Sequence, residues 1–304
     1  MENKKLLQNN TLKMVCAVLV IFVAIFLGFG VYKIFSAQKP KKEDNLSFVA
    51  IVKNEGPYLK EWIEYHKMVG VDRFYIYDNE STDNTKEVLS DYIKRGEVVY
   101  KYYPGAAQQV PAYTEALNNY KSNTKYMGFI DLDEFVVPVE QDNLYNAVDE
   151  IISKNEKAAG VAINWRMYGS SGFEDKPEGL VTENYKRRAP DAFGPNQFIK
   201  TICNPKLVSK IEDAHFVDYN DGYYCVSEGG GQVSGSVNPN GSCNKLRINH
   251  YFTKSKNEYI KKRERGMADH VEEKRTMEGF YGHDRNDIYD YIMERFVPSL
   301  KTKV

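Results

Sequence analysis

Tyr126-Met127-Gly128-Phe129-Ile130-Asp131-Leu132-Asp133-Glu134-Phe135 is an apolar run that ends abruptly in an Asp-x-Asp pair, with a third carboxylate beside it. A short apolar run of this kind reads as a buried strand. Side chains two residues apart on an extended chain point to the same side. Asp131 and Asp133 would then repel one another unless a cation lay between them. Hard oxygen ligands favour Mg²⁺ or Mn²⁺, ions that usually reach a protein with substrate phosphates attached. The run therefore predicts a metal–diphosphate site near the middle of the chain. Asp-x-Asp alone is common in solvated loops, so the surrounding sequence has to carry the rest.

Outward from this run, strands and helices alternate. Strands are predicted over 46–52, 73–77, 97–102, 126–130 and 160–165. A first helix begins at Pro57, whose fixed φ suits a first turn, with Leu59, Trp62 and Ile63 on its apolar side. Ser81-Thr82-Asp83-Asn84 predicts a turn and helix cap, with Asp83 as a cap residue and Glu87 three residues after Asn84. Further helices are predicted over 111–120 and 144–153. The alternation predicts an α/β fold with a mainly parallel sheet flanked by helices. In such sheets ligands bind at the carboxyl ends of the strands, where Asp78 and Asp131 both fall. Beyond residue 168 the pattern loosens. Residues 218–244, with Gly229-Gly230-Gly231 inside, read as a mobile loop. Ser255 and Glu258 form a capping box for a helix ending near Gly266, and residues 271–304 read as a helical extension.

The 304 residues are 42% hydrophobic and 27% charged, as in an ordinary globular protein of one large domain or two small ones. Net charge is −1, but residues 1–45 carry seven lysines against Glu2, Glu43 and Asp44 and leave the remainder near −5. That balance argues against a nucleic-acid partner. No CxxC pair occurs among the four cysteines, which argues against zinc, while a Cys225–Cys243 disulfide stays open in an oxidising compartment. Residues 14–32 are uncharged and strongly apolar. A helix of about 20 residues spans a bilayer, and a signal peptide has a shorter apolar core. The expected organisation is a tail over 1–13, a single-span membrane anchor over 14–35, a linker over 36–45 and a catalytic domain over 46–270. Lysines on both sides of the span leave its orientation open. The domain is expected in the cytoplasm of a bacterium, or in the lumen of a eukaryotic Golgi.

Six segments, in order over roughly 46–270, resemble glycosyltransferase family 92 and the neighbouring family 2-like transferases of GT-A fold. They are Val52-Lys53-Asn54-Glu55 with Leu59 through His66, Tyr77 through Thr85, Phe129 through Phe135, and Asn164 through Gly172. Lys200-Thr201-Ile202 with Asn204, Pro205 and His215 is the fifth, and Asn249 through Ser255 with Arg265-Gly266 the sixth. The resemblance implies a GT-A domain that moves a sugar from a nucleotide-diphosphate donor, such as the UDP-hexose UDP-galactose, to a glycan acceptor, using Mn²⁺ or Mg²⁺. It implies donor contacts from Lys53, Asn54, Glu55 and Asp78, with Lys254, Lys262 and Arg265 reaching phosphate oxygens. Asp131 and Asp133 are the implied metal ligands, with His250 as the candidate third. Trp165, Arg166, Gly169, Ser170, Ser171, Gly172 and Glu134 are the implied acceptor side. An inverting transfer needs a carboxylate base. Glu174, Asp191 and Asp218 are the candidates, with Asp175 and Asp213 also available. Phe173 departs from the family pattern, where a polar residue is expected.

Two other classes compete. A haloacid dehalogenase-like phosphatase also places Asp-x-Asp after a strand, but expects Thr or Val where Phe135 stands. A membrane-tethered glycan-binding protein without activity would not need intact Asp131 and Asp133.

Overall fold

The structure is a computed structural model that describes residues 43–269 and 275–304. The membrane span expected over 14–35 lies outside the described residues. Among those described, no helix is long and apolar enough to cross a membrane.

The first half follows the alternation. Strand β1 (Asp44–Val52) leads to α1 (Gly56–Met68), β2 (Arg73–Asp78), α2 (Thr85–Lys94), β3 (Val98–Tyr102), α3 (Gln109–Tyr120) and β4 (Thr124–Phe129). β3, β2, β1 and β4 lie side by side in that order, all parallel. Both faces are covered, so these strands are apolar almost throughout. Leu46, Phe48, Ala50 and Val52 pack with Trp62, Ile63 and Leu89 of α1 and α2, whereas Val49 and Ile51 meet Ala112, Tyr113 and Leu117 of α3. Gly128 lets two strands close up: a Cβ there would come within 2.9 Å of the Phe48 ring.

The turn between β2 and α2 is held by carboxylates rather than by the predicted capping box. Asn84 makes no side-chain cap bond. Asp83 instead accepts the N–H of Gly56 at 2.9 Å and of Thr85 at 3.0 Å, joining the starts of both helices.

The second half departs from the expectation. β5 (Glu134–Pro138) follows the Asp-x-Asp turn directly and was not foreseen; α4 (Leu144–Ser153) and β6 (Ala158–Met167) come next, as predicted. After α5 (Val181–Asn184) and β7 (Arg187–Arg188) come β8 (Ile199–Cys203), β9 (Val208–Ile211) and β10 (Val217–Tyr219). β11 (Tyr224–Ser227), β12 (Gln232–Val233) and β13 (Leu246–His250) complete the sheet. β8 inserts antiparallel between β4 and β6, and β13 runs parallel to β6 while pairing antiparallel with β5. The sheet is mixed, with β5, β8 and β12 running against the rest.

The segment expected as a mobile loop contains β11 and β12 and is anchored by Glu228. That carboxylate takes the Ser242 hydroxyl and the N–H groups of Asn244, Lys245 and Leu246, each N–H at 2.8 Å. Cys225 is buried on β11, and Cys203, Cys225 and Cys243 are free thiols, so the Cys225–Cys243 disulfide does not form. The capping box at Ser255 and Glu258 opens α6 (Lys256–Glu264) as predicted. The C-terminal residues are built into the domain rather than appended. They form α7 (Met277–His283), β14 (Ile288–Tyr289) and α8 (Val297–Lys301), and Met293, Phe296 and Leu300 enter the main core.

Candidate active site

A cavity of about 1020 Å³ opens at the carboxyl ends of β1, β2 and β4. Asp131, Asp133, Trp165, His215 and His250 line it, and Lys53, Glu55, Lys262, Arg263, Arg265 and Arg275 form its charged rim.

Asp131 and Asp133 share this cavity because of a tight turn, not because of strand alternation. The Glu134 N–H donates to the Asp131 carbonyl at 3.0 Å, which closes the turn between β4 and β5. Asp131 faces α3 and accepts from Gln109 Nε2 at 2.9 Å and the Tyr113 hydroxyl at 3.0 Å. Its other oxygen takes Lys200 Nζ at 2.9 Å. Burial works against its charge, but Lys200 outweighs it and holds the carboxyl below its usual range. Lys200 is fully buried on β8 and also donates to the Ala214 carbonyl at 2.7 Å.

Asp133 is pinned from the other side. Lys262 Nζ of α6 donates to it at 2.5 Å, and His250 Nε2 at the end of β13 lies 3.6 Å away. Burial opposes its ionisation, yet Lys262 and His250 pull its pKa well below the carboxylate range. Burial also lowers the pKa of His250 and brings Lys262 down to about 8. The pairing of β13 with β5 sets His250 opposite Glu134, which delivers the imidazole to the turn.

An aromatic wall faces these carboxylates. The Trp165 ring meets His250 at 4.3 Å and His215 at 5.2 Å between centroids, and its Nε1 is buried without a partner. His215 Nδ1 contacts the Ile199 carbonyl at 3.0 Å, which fixes that nitrogen as the donor and leaves Nε2 as the acceptor. Burial and Lys200 lower its pKa to about 4, so the ring is neutral at pH 7.

A catalytic Mn²⁺ or Mg²⁺ is compatible with these residues. Asp133 Oδ1 and His250 Nε2 both line the cavity 3.6 Å apart, and a neutral imidazole is a ligand. Among the described residues no cluster of three or more His, Cys, Asp or Glu converges. An ion here would draw its remaining ligands from substrate phosphate and water, as Mg²⁺ commonly does.

Several residues implied by the resemblance lie elsewhere. Asp78 does not line the cavity: its carboxylate holds the Ser81 N–H at 2.8 Å and the Tyr100 hydroxyl at 2.8 Å. Glu134 is wholly buried beneath the floor, where burial raises its pKa well above normal, so it presents no surface to an acceptor. Gly169, Ser170, Ser171 and Gly172 form a latch to the C-terminal segment. Ser170 and Ser171 donate their N–H groups to Asp284 and Asn286, and a Cβ on Gly169 would strike the Arg285 carbonyl at 2.5 Å. Arg166 turns away to Asp191, 3.3 Å distant. The three base candidates are also outside the cavity: Glu174 pairs with Lys256, Asp191 with Arg188, and Asp218 sits on β10 beside Glu212. Asn54 and Lys254 line an adjoining cleft instead. Lys200 and His215 were quoted for the resemblance without a role. The only trace of Lys200 in the sequence is a lone lysine inside the otherwise uncharged run Ile199-Lys200-Thr201-Ile202-Cys203.

Residues 51–274 match glycosyltransferase family 92, and the chain belongs to that family. A family 92 protein of Ricinus communis is 27% identical over 190 residues, covering 62% of this chain and 34% of its own length. A beta-1,4-galactosyltransferase of Caenorhabditis elegans is 25% identical over 186 residues, covering 56% of this chain and 41% of its own. The chain thus spans about a third of the length of the plant relative and two-fifths of the nematode one. Among solved structures, S. aureus TarS in complex with UDP aligns with 54% of this chain and 47% of its own at 14% identity and a TM-score of 0.36. Glucosyl-3-phosphoglycerate synthase from Mycobacterium tuberculosis, with Mn²⁺ and UDP, aligns with 55% of this chain and 59% of its own at 19% identity and a TM-score of 0.33. Likenesses that weak add nothing to the family assignment.

Proposed function

We propose that the protein is a metal-dependent glycosyltransferase that moves a hexose from a UDP-sugar, UDP-galactose first among them, to a glycan acceptor with inversion. The observation that carries this reading is the cavity itself: the Asp133–His250 pair faces a rim of Lys53, Lys262, Arg263, Arg265 and Arg275 at the carboxyl edge of the sheet. A pair of divalent-ion ligands opposite a cluster of cations suits a diphosphate. The galactosyltransferase named among the relatives supports galactose as the sugar.

Asp133 and His250 would hold Mn²⁺ or Mg²⁺, which when bound offsets charge on the departing diphosphate. Asp131 keeps its implied metal role within the proposal: its oxygens accept from Gln109, Tyr113 and Lys200 as those of Asp133 do from Lys262, and its side chain is the more exposed of the two. Lys262 and Arg265 are placed to meet phosphate oxygens, and Lys53 and Glu55 to meet the nucleoside. Trp165 offers a face for a sugar ring. Glu174, Asp191 and Asp218 lie outside the cavity, and we assign the base for the attacking hydroxyl to His215, which lines it beside Trp165 with Nε2 as the acceptor nitrogen. A membrane anchor over 14–35 remains part of the proposal, with the compartment set by the cell.

The test is calorimetric titration of the full chain with UDP-galactose and other nucleotide sugars, with Mn²⁺ or with EDTA. UDP-galactose is expected to bind with Mn²⁺, and Asp133→Ala to weaken that binding at least about tenfold. In a transfer assay His215→Ala is expected to keep donor affinity and to lose turnover by about 10²–10⁴. A folded chain that binds no nucleotide sugar with metal present would overturn the transferase reading.

A further inference from the structure

A second cleft of about 570 Å³ lies beside the main cavity, against the start of α1. Asn54, Pro57, Tyr58, Lys176, Lys254 and Lys261 line it, and Lys262, Glu264 and Arg265 border both spaces.

Its charges do not cancel locally. The Asp83 carboxylate is taken by the N–H groups of Gly56 and Thr85. Glu258 is taken by the hydroxyls of Tyr58, Tyr185 and Ser255. Lys262 is bound to Asp133, and Arg265 to Glu55 and the Lys53 carbonyl. Among the described residues, Lys176, Lys254 and Lys261 then have neither a hydrogen bond nor an ion pair, against the single carboxylate of Glu264.

Lys254 is the decisive residue. It is only 5% exposed and has a left-handed φ of 49°, a conformation that costs a non-glycine residue energy. Its ammonium lies 4.4 Å from the centre of the Tyr58 ring, and Lys176 lies 4.7 Å from the same centre. The carboxylates of Glu61, Asp133 and Glu258 act on Lys254 only at longer range, and each is already hydrogen-bonded. The residue is nearly buried and its ammonium has no protein acceptor, so an anion in the cleft would supply the missing partner. Two lysines over one ring add repulsion that an anion between them would relieve. The start of α1 adds peptide N–H dipoles of the same sign.

We propose that this cleft binds a phosphate group, with Lys254 as its floor and Lys176 and Lys261 closing over it. The phosphate belongs to a phosphorylated molecule other than the donor, because Lys254 lines this cleft and not the main cavity. The inference departs from the donor role the resemblance implies for Lys254, and it needs binding and no turnover.

The experiment is calorimetric titration of the full chain with inorganic phosphate, alone and with saturating UDP and Mn²⁺. Wild type is expected to bind phosphate, and Lys254→Met to weaken it by about tenfold or more. Phosphate uptake that survives saturating UDP assigns the cleft to a separate phosphate. Uptake abolished by UDP, with Lys254→Met weakening UDP in parallel, would overturn the proposal and leave Lys254 with the donor role the resemblance implies. Should Lys254→Met fail to fold, the exposed double variant Lys176→Gln/Lys261→Gln carries the test and is expected to weaken phosphate as well. Wild type that takes up no phosphate at millimolar concentration, or folded variants within about twofold of wild type for both phosphate and UDP, would overturn the proposal.

Discussion

Residues 44–130 and residues 168–250 build one sheet but hold their places by different means. In the first stretch the strands are apolar on both faces and pair in parallel, β1 between β2 and β4 and β3 at the edge, and packing against α1, α2 and α3 fixes them. In the second the strands are mostly short, and buried or half-buried carboxylates collect hydrogen-bond donors, backbone and side-chain alike. Glu228 gathers residues 242–246, Asp213 takes the N–H groups of His215 and Phe216, and Asp290 holds Arg188 and Arg247. The difference teaches where each half is vulnerable: volume in the first, charge and donor count in the second. The candidate site lies on the seam, with Asp131 from one half and Lys200, His215 and His250 from the other.

The seam should show the largest effect. Lys200→Met would leave Asp131 and Glu134 under the cavity floor without their shared cation, 2.9 and 3.8 Å away respectively. Breaking one partner out of a buried charge pair costs about 3–5 kcal/mol. Urea unfolding of the variant is expected to show that loss. Wild-type stability within about 1 kcal/mol would mean that the two carboxyls accommodate by taking up protons, and that Lys200 does not tie the halves together.

Within the second half, Glu228→Ala removes the acceptor for three backbone N–H groups and the Ser242 hydroxyl. A buried donor left without a partner costs about 1–3 kcal/mol, and the segment can relax part of that away, so about 3 kcal/mol in total is expected. Amide exchange should accelerate first at Asn244, Lys245 and Leu246. Unchanged exchange there would show that β11 and β12 are held by their ladder bonds alone.

The same contrast explains what the sequence disclosed. The strands and helices from 44 to 130 were legible because their period, their turn residues and the Asp-x-Asp terminus all lie within a few residues of one another. β5 was hidden because Glu134–Pro138 pairs with Leu246–His250, over a hundred residues later, and no local signal announces that partner. The Gly229-Gly230-Gly231 stretch looked mobile because its anchor is one carboxylate, Glu228, whose bonds form only in the fold. At the site, Asp133, His250 and Arg265 were readable as residue types at motif positions, and Lys262 as a basic residue on the helix that follows. Asp78 was misplaced for a physical reason: an aspartate at a strand end serves a turn as readily as a ligand, and here Ser81 and Tyr100 consume it. Lys200 and His215 could not be given roles, since the antiparallel insertion of β8 that brings them to Asp131 is a feature of topology.

The smallest effect belongs to the first half and comes from one imidazole. His66 is buried between Phe48, Trp62, Tyr65 and Phe135, with Nδ1 at 2.9 Å from the Trp62 carbonyl and Nε2 accepting the Val136 N–H at 3.1 Å. Burial lowers its pKa from 6.5 to about 3, the bond to Trp62 opposing weakly. The unfolded chain therefore binds a proton at a pH where the fold does not. The contribution of His66 is fully present above pH 6.5 and is lost as pH falls from 6.5 towards 3. The slope is about 1.4 kcal/mol per pH unit, so between pH 7 and pH 5 roughly 2 kcal/mol should disappear from the urea-unfolding free energy. His215 and His250, also shifted down, add their own losses on the other side of the seam. His66→Gln should therefore flatten the pH dependence by about one proton without removing it. Equal slopes in variant and wild type would mean that acid attacks the second half first, and that the apolar half is indifferent to pH in this range.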